Sequence, residues 1–130
     1  NLPFNTIYLV DKQFKIRRLQ VSEEIRYWAK IKIMQDVRPY GQKARIQDIW
    51  LHLVSEGLKL KGEITFSNKY IQTQVKTATT RTNFPVELHA KIERVRAAIE
   101  TGKLKSEGTA VDSYNVIMCL IEAAFKKIQE

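Results

Sequence analysis

Arg81 and Asn83 stand two positions apart in the run Thr79-Thr80-Arg81-Thr82-Asn83-Phe84. Residues two apart on a strand share a face, so both side chains project together if this run is extended. The guanidinium is a planar fork of donors, and the carboxamide sets a donor beside an acceptor. Such groups suit nucleobase edges: Arg pairs with the two acceptors of guanine, Asn with the donor and acceptor of adenine. A second run, Phe14-Lys15-Ile16-Arg17-Arg18-Leu19-Gln20-Val21, has the same character. With Leu19 and Val21 inward, Arg18 and Gln20 face outward. The plain alternative for all of these residues is a solvated face of an exposed sheet.

Both runs lead into helices. In the second, Phe84 is the natural core residue, which turns Thr80 and Thr82 inward and Thr79, Arg81 and Asn83 outward. The first run is less regular. Phe14 and Ile16 share one parity, Leu19 and Val21 the other, so a bulge or register change near Arg17 is predicted. Ile16 otherwise faces out with Arg18, an odd choice for a polar face.

Ser22 is a good N-cap, with Glu23 and Glu24 where the helix dipole favours acids. The helix it starts runs to about Asp36. Its apolar residues Ile25, Tyr27, Trp28, Ala29, Ile31, Ile33 and Met34 cover more than one face, which predicts contact on two sides, as in an interlocked dimer. Arg38-Pro39-Tyr40-Gly41 breaks it. A second helix begins near Lys43 or Ala44, with Ile46, Ile49, Trp50, Leu53 and Gly57 at helical spacing. In the other half Pro85 fits the first helical position, and Leu88, Ile92, Val95 and Ile99 form the stripe that follows. Gly102 ends that helix. Asp112 or Ser113 caps the last one, which carries Tyr114, Ile117, Ile121, Ala124, Phe125 and Ile128 on one face. Residues 61–78 are long for a passive linker and are read as wrapping the surface or holding a short element.

The 130 residues are enough for one compact domain or two small interlocked ones, and 44% are hydrophobic. A net charge of +8 favours polyanionic partners. The single cysteine, Cys119, sits in an apolar helical pattern and reads as a buried thiol rather than a nucleophile. No membrane span is visible. The two histidines, His52 and His89, lie far apart without neighbouring ligands, so no metal is expected. Trp28 and Trp50 read as core anchors. No nucleophile–base arrangement, phosphate loop or cofactor motif is present, and a non-enzyme without cofactors is expected.

The order strand, helix, helix, linker, strand, helix, helix resembles the ribbon–helix–helix family, the Arc and MetJ type of DNA-binding protein. The residues that carry the resemblance are the junctions Leu19-Gln20-Val21-Ser22 and Thr82-Asn83-Phe84-Pro85, the breaks at Gly41 and Gly108, and the two amphipathic second helices. The resemblance implies a mainly α fold with a two-stranded antiparallel ribbon, here a tandem ribbon–helix–helix pseudo-dimer on one chain. The expected division is an arm over 1–13, a first unit over 14–60, a linker over 61–78 and a second unit over 79–130, both units forming one compact domain. It also implies sequence-specific binding of double-stranded DNA, with the ribbon in the major groove.

Under that resemblance the base readers are Arg18, Gln20, Thr79, Arg81 and Asn83, with Lys15 and Arg17 as secondary candidates. The starts of the second helices bind phosphate: Gln42, Lys43, Ala44 and Arg45 in the first unit, and Thr109, Ala110 and Val111 in the second, which Glu107 and Asp112 weaken. Tandem single chains of this kind are similar to DNA-transfer accessory proteins of the VirC and TraY types. That implies a bacterial, cytoplasmic, DNA-associated protein with a relaxase or other DNA-processing partner, monomeric as a pseudo-dimer and able to assemble further on DNA. A transcriptional repressor or plasmid partition adaptor fits the same residues. A protein–protein module such as an antitoxin, or binding to RNA or anionic membrane by charge alone, is the alternative of a different class.

Overall fold

A computed structural model describes residues 14–35, 45–70, 79–108 and 110–130. The elements run β1 (Phe14–Leu19), α1 (Glu23–Gln35), α2 (Ile46–Lys59), a 3₁₀ turn at Lys61–Glu63, β2 (Thr80–Pro85), α3 (Val86–Glu100) and α4 (Ser113–Gln129). These residues are mainly helical, with one two-stranded antiparallel sheet. The expected arm, the break around Gly41 and residues 71–78 of the linker lie outside the described residues.

α2 and α4 form the centre. Each has an apolar stripe at helical spacing: Ile49, Trp50, Leu53 and Val54 on α2, and Val116, Ile117, Leu120 and Ile121 on α4, all buried. They approach closely at Gly57, where a Cβ would lie 2.8 Å from the Leu120 Cα and carbonyl carbon and against its carbonyl oxygen. Only a residue without a Cβ lets the backbones come this near. α3 buries Ile92, Val95 and Ile99 and packs on α4. It ends as the sequence suggests: Gly102 adopts φ 75°, and Lys103 N–H donates to Ala98 O at 2.8 Å while Gly102 N–H donates to Ile99 O at 3.1 Å. This pair of bonds satisfies two carbonyls at the helix end.

α1 differs from its expected role. It buries only Ile25 and Ala29, and Trp28 meets Phe125 edge-on at 5.5 Å. Tyr27 and Met34 are 69% and 82% exposed, so the two-sided burial suggested by its apolar residues is absent among the described residues. Boundaries also move slightly. α2 begins at Ile46 with Arg45 as its N-cap, and Pro85 ends β2 and caps α3 instead of opening it.

The strands pair residue for residue from Phe14 opposite Pro85 to Leu19 opposite Thr80. There is no bulge near Arg17. The parity conflict is resolved differently: Leu19 goes to the core and Ile16 is left outside, 47% exposed. After the 3₁₀ turn the chain runs as a strap. Ile64 and Phe66 are buried, and Phe66 forms a parallel bridge to the α3–α4 loop through Phe66 N–H to Lys105 O at 2.9 Å and Glu107 N–H to Phe66 O at 2.8 Å. Asn115, buried on α4, accepts from Tyr70 N–H at 2.8 Å, and Lys69 reaches Glu122 at 3.0 Å.

Candidate nucleic-acid interface

The register sorts the ribbon into two faces, because residues directly opposite each other in an antiparallel pair lie on the same side. Leu19, Thr82 and Phe84 are each 0% exposed and turn toward the helices. Ile16, Arg18, Arg81 and Asn83 share the other side: Arg18 stands opposite Arg81, and Ile16 opposite Asn83. Arg18 and Arg81 are exposed and Asn83 is half-buried. Thr79, exposed, and Gln20, half-buried, lie one residue beyond the strand ends. The outward face therefore holds Arg18, Arg81 and Asn83 at its centre, with Gln20 and Thr79 at the end where Leu19 meets Thr80.

The two secondary candidates lie on the opposite parity. Arg17 is opposite Thr82 and Lys15 opposite Phe84. Arg17 turns to α3, where its Nη2 donates to His89 Nδ1 at 3.4 Å and lies 3.8 Å from Glu93. It is thus a partner of the helical layer and not a member of the outward face. An unbroken register leaves it no other side. Lys15 remains exposed but shares this inner parity.

Glu93 is the hub of that network. Ser113, the first residue of α4, donates its hydroxyl to Glu93 at 2.6 Å, and Arg96 approaches at 3.6 Å. The Ser113 hydrogen bond, together with His89, Arg96 and Arg17, holds the Glu93 carboxyl below its ordinary value against partial burial. His89 is also lowered, first by burial and then by Arg17, against the pull of Glu93. A neutral imidazole fits the acceptor role of Nδ1. Sequence reading missed this cluster; the His89, Glu93 and Arg96 spacing on one helix was its available signal.

The helix N-termini are unequal. At α2, Asp48 is buried and accepts from Arg45 N–H at 2.9 Å, with Arg45 Nε at 3.5 Å from the same oxygen. Arg45 keeps about half of its side chain exposed (55%), so one cation stands at this terminus. Gln42, Lys43 and Ala44 lie outside the described residues. At α4, Asp112 is the N-cap and accepts from Asn115 N–H at 2.8 Å and from Asn115 Nδ2 at 2.7 Å. The anion at this terminus is the chain's own. Ala110 and Val111 precede the cap, and Val111 is 0% exposed, its side chain packed in the core. Thr109 lies outside the described residues.

Among the described residues no group of His, Cys, Asp or Glu is placed to hold a metal ion, and no helix is long and apolar enough to cross a membrane. Cys119 is buried, and burial pushes its thiol above the ordinary value. Set against family models, curated proteins and solved structures, the chain matches none of them.

Proposed function

We propose that this chain binds double-stranded DNA with sequence preference, laying the β1–β2 ribbon in the major groove with its outward face to the bases. The observation that carries this reading is the register, which gathers Arg18, Arg81 and Asn83 on one face, both arginines exposed, while Leu19, Thr82 and Phe84 on the other face are buried. Two strands about 5 Å apart fit a groove about 12 Å wide. Two guanidinium groups at directly opposite positions raise the local positive potential in a chain of net charge +8. Gln20 and Thr79 extend the reading face, and Arg45 at the start of α2 contacts a backbone phosphate.

The two strand–helix–helix halves act as a pseudo-dimer. Each supplies one strand to the ribbon and one second helix to the α2–α4 centre. The halves differ where they face DNA: Ile16 and Arg18 on one strand, Arg81 and Asn83 on the other, with Arg45 as the N-cap residue of α2 and Asp112 as that of α4. The bound site is therefore asymmetric.

In vitro selection of duplexes tests this. The expected result is one non-palindromic consensus, with Arg81→Ala and Asn83→Ala each removing about 1–3 kcal/mol of discrimination at a single position while the fold persists. Binding of selected and random duplexes with equal strength would sink the reading. A palindromic consensus would sink the pseudo-dimer part of it.

A further inference from the structure

We propose that Ile16 is a specificity residue that reads the C5-methyl group of a thymine beside the adenine taken by Asn83. This inference rests on the DNA-binding reading above and adds to it the identity of one base pair. Within the two central cross-strand pairs of the outward face, Ile16–Asn83 and Arg18–Arg81, Ile16 is the apolar member, and it is 47% exposed. Its position follows from the unbroken register, which leaves the core to Leu19 and sets Ile16 across from Asn83. Directly opposite residues carry their Cβ atoms about 4.5–5.5 Å apart, so the two side chains act on one patch of DNA.

The chemistry of the pair is complementary to one kind of base pair. In the major groove an A·T pair presents the adenine N7 acceptor and N6 donor, then the thymine O4 and C5-methyl. A carboxamide matches the adenine edge, and a branched aliphatic side chain packs on the methyl. A G·C pair offers neither the adenine pattern nor the methyl. Beside a cytosine N4 amino group Ile16 can accept no hydrogen bond, so it disfavours that neighbour.

Register also fixes spacing. Arg18 and Arg81 lie two residues along their strands from Ile16 and Asn83, about 7 Å at the strand rise. That distance is roughly two base-pair steps at 3.4 Å each. The consensus should therefore place an A·T pair about two steps from the guanines read by the arginines.

The test uses the full chain and its selected consensus duplex. Each thymine is replaced in turn by uracil, which deletes only the methyl group, and affinities are measured for the wild type, Ile16→Ala and Ile16→Val. The expected result is one thymine, at the pair whose adenine depends on Asn83, where uracil weakens wild-type binding about fourfold, the worth of one buried methyl. Ile16→Ala should bind thymine and uracil duplexes equally, and Ile16→Val, which keeps methyl groups on Cβ, should restore the difference. Because Ile16 lies outside the core, all three proteins should fold alike. A consensus bound without any methyl dependence, or a dependence unchanged in Ile16→Ala, overturns the Ile16 proposal and leaves DNA reading by the ribbon standing. Absence of any consensus overturns both.

Discussion

At the scale of single residues, Arg17 and Arg81 show how one side-chain type takes two roles by parity alone. Arg17 faces α3 and joins Glu93 and His89; Arg81 faces out. Arg17→Ala is expected to lower stability by about 0.5–1 kcal/mol, the worth of a partly exposed ion pair, and to leave base preference intact. Arg81→Ala should do the reverse. Denaturant unfolding beside duplex titration distinguishes them, and loss of base preference in Arg17→Ala would contradict the assignment of its side chain. The same cluster sets a pH dependence. His89 and His52 both lie below the ordinary value of 6.5 in the fold, each because burial first disfavours the charged form. On acidification the unfolded chain takes up these protons first, so their contribution is complete above about pH 6.5 and is lost as pH falls through the lower folded values. Glu93, also lowered, acts in the same sense in a window below about 4.5. Stability should therefore decline from pH 7.5 to 5.5, and His89→Gln should flatten that slope. A protein that gains stability over this interval would contradict the arrangement.

At the scale of elements, the tightest constraint is the crossing of α2 and α4. Gly57→Ala forces a methyl group onto the Leu120 backbone, which cannot rotate away as a side chain would. The expected cost is about 1–3 kcal/mol. Gly62→Ala, where a Cβ meets nothing within 4 Å, is the control and should be near neutral; equal melting of the two variants would refute the close approach. Much of this level was legible in the chain. Ser22, Gly102 and Asp112 mark helix ends by local chemistry, and the stripes of α2 and α4 repeat at helical spacing. The faces of β1 were harder, since both parities hold two apolar residues. What decides between them is Leu19 reaching the helical core and Arg17 finding Glu93, contacts made by residues far away in the chain. The strap was not legible for a similar reason. Ile64 and Phe66 are buried by the α3–α4 loop and α4, without a periodic pattern of their own.

At the scale of the whole molecule, the ribbon and the helical centre both join the first half of the chain to the second. β1 pairs only with β2 in the described sheet, and α2 packs on α4. Under the pseudo-dimer reading proposed above, unfolding is unimolecular. The melting temperature should stay constant across a hundredfold range of protein concentration, where a dimer built from separate chains would shift by mass action. A melting temperature that climbs with concentration would show that a second copy completes the fold. The site was legible at this scale only in outline: the doubled order suggested a ribbon and named most of its outward residues. Which residues meet across it depends on register, and register follows from how the halves close on one another.

The separation of β1 from β2 has a consequence for how the protein is made. A chain emerging from the ribosome presents β1 and α2 long before β2 and α4 exist. Until then one strand edge and one apolar helix stripe have no native cover, which are the features that draw unfinished chains together. The strap then arrives before the α3–α4 loop and α4 that will hold it. Completion of the second half is thus the step that turns an adhesive nascent chain into a closed molecule, and a product released early, after α2, is expected to be recovered as aggregate.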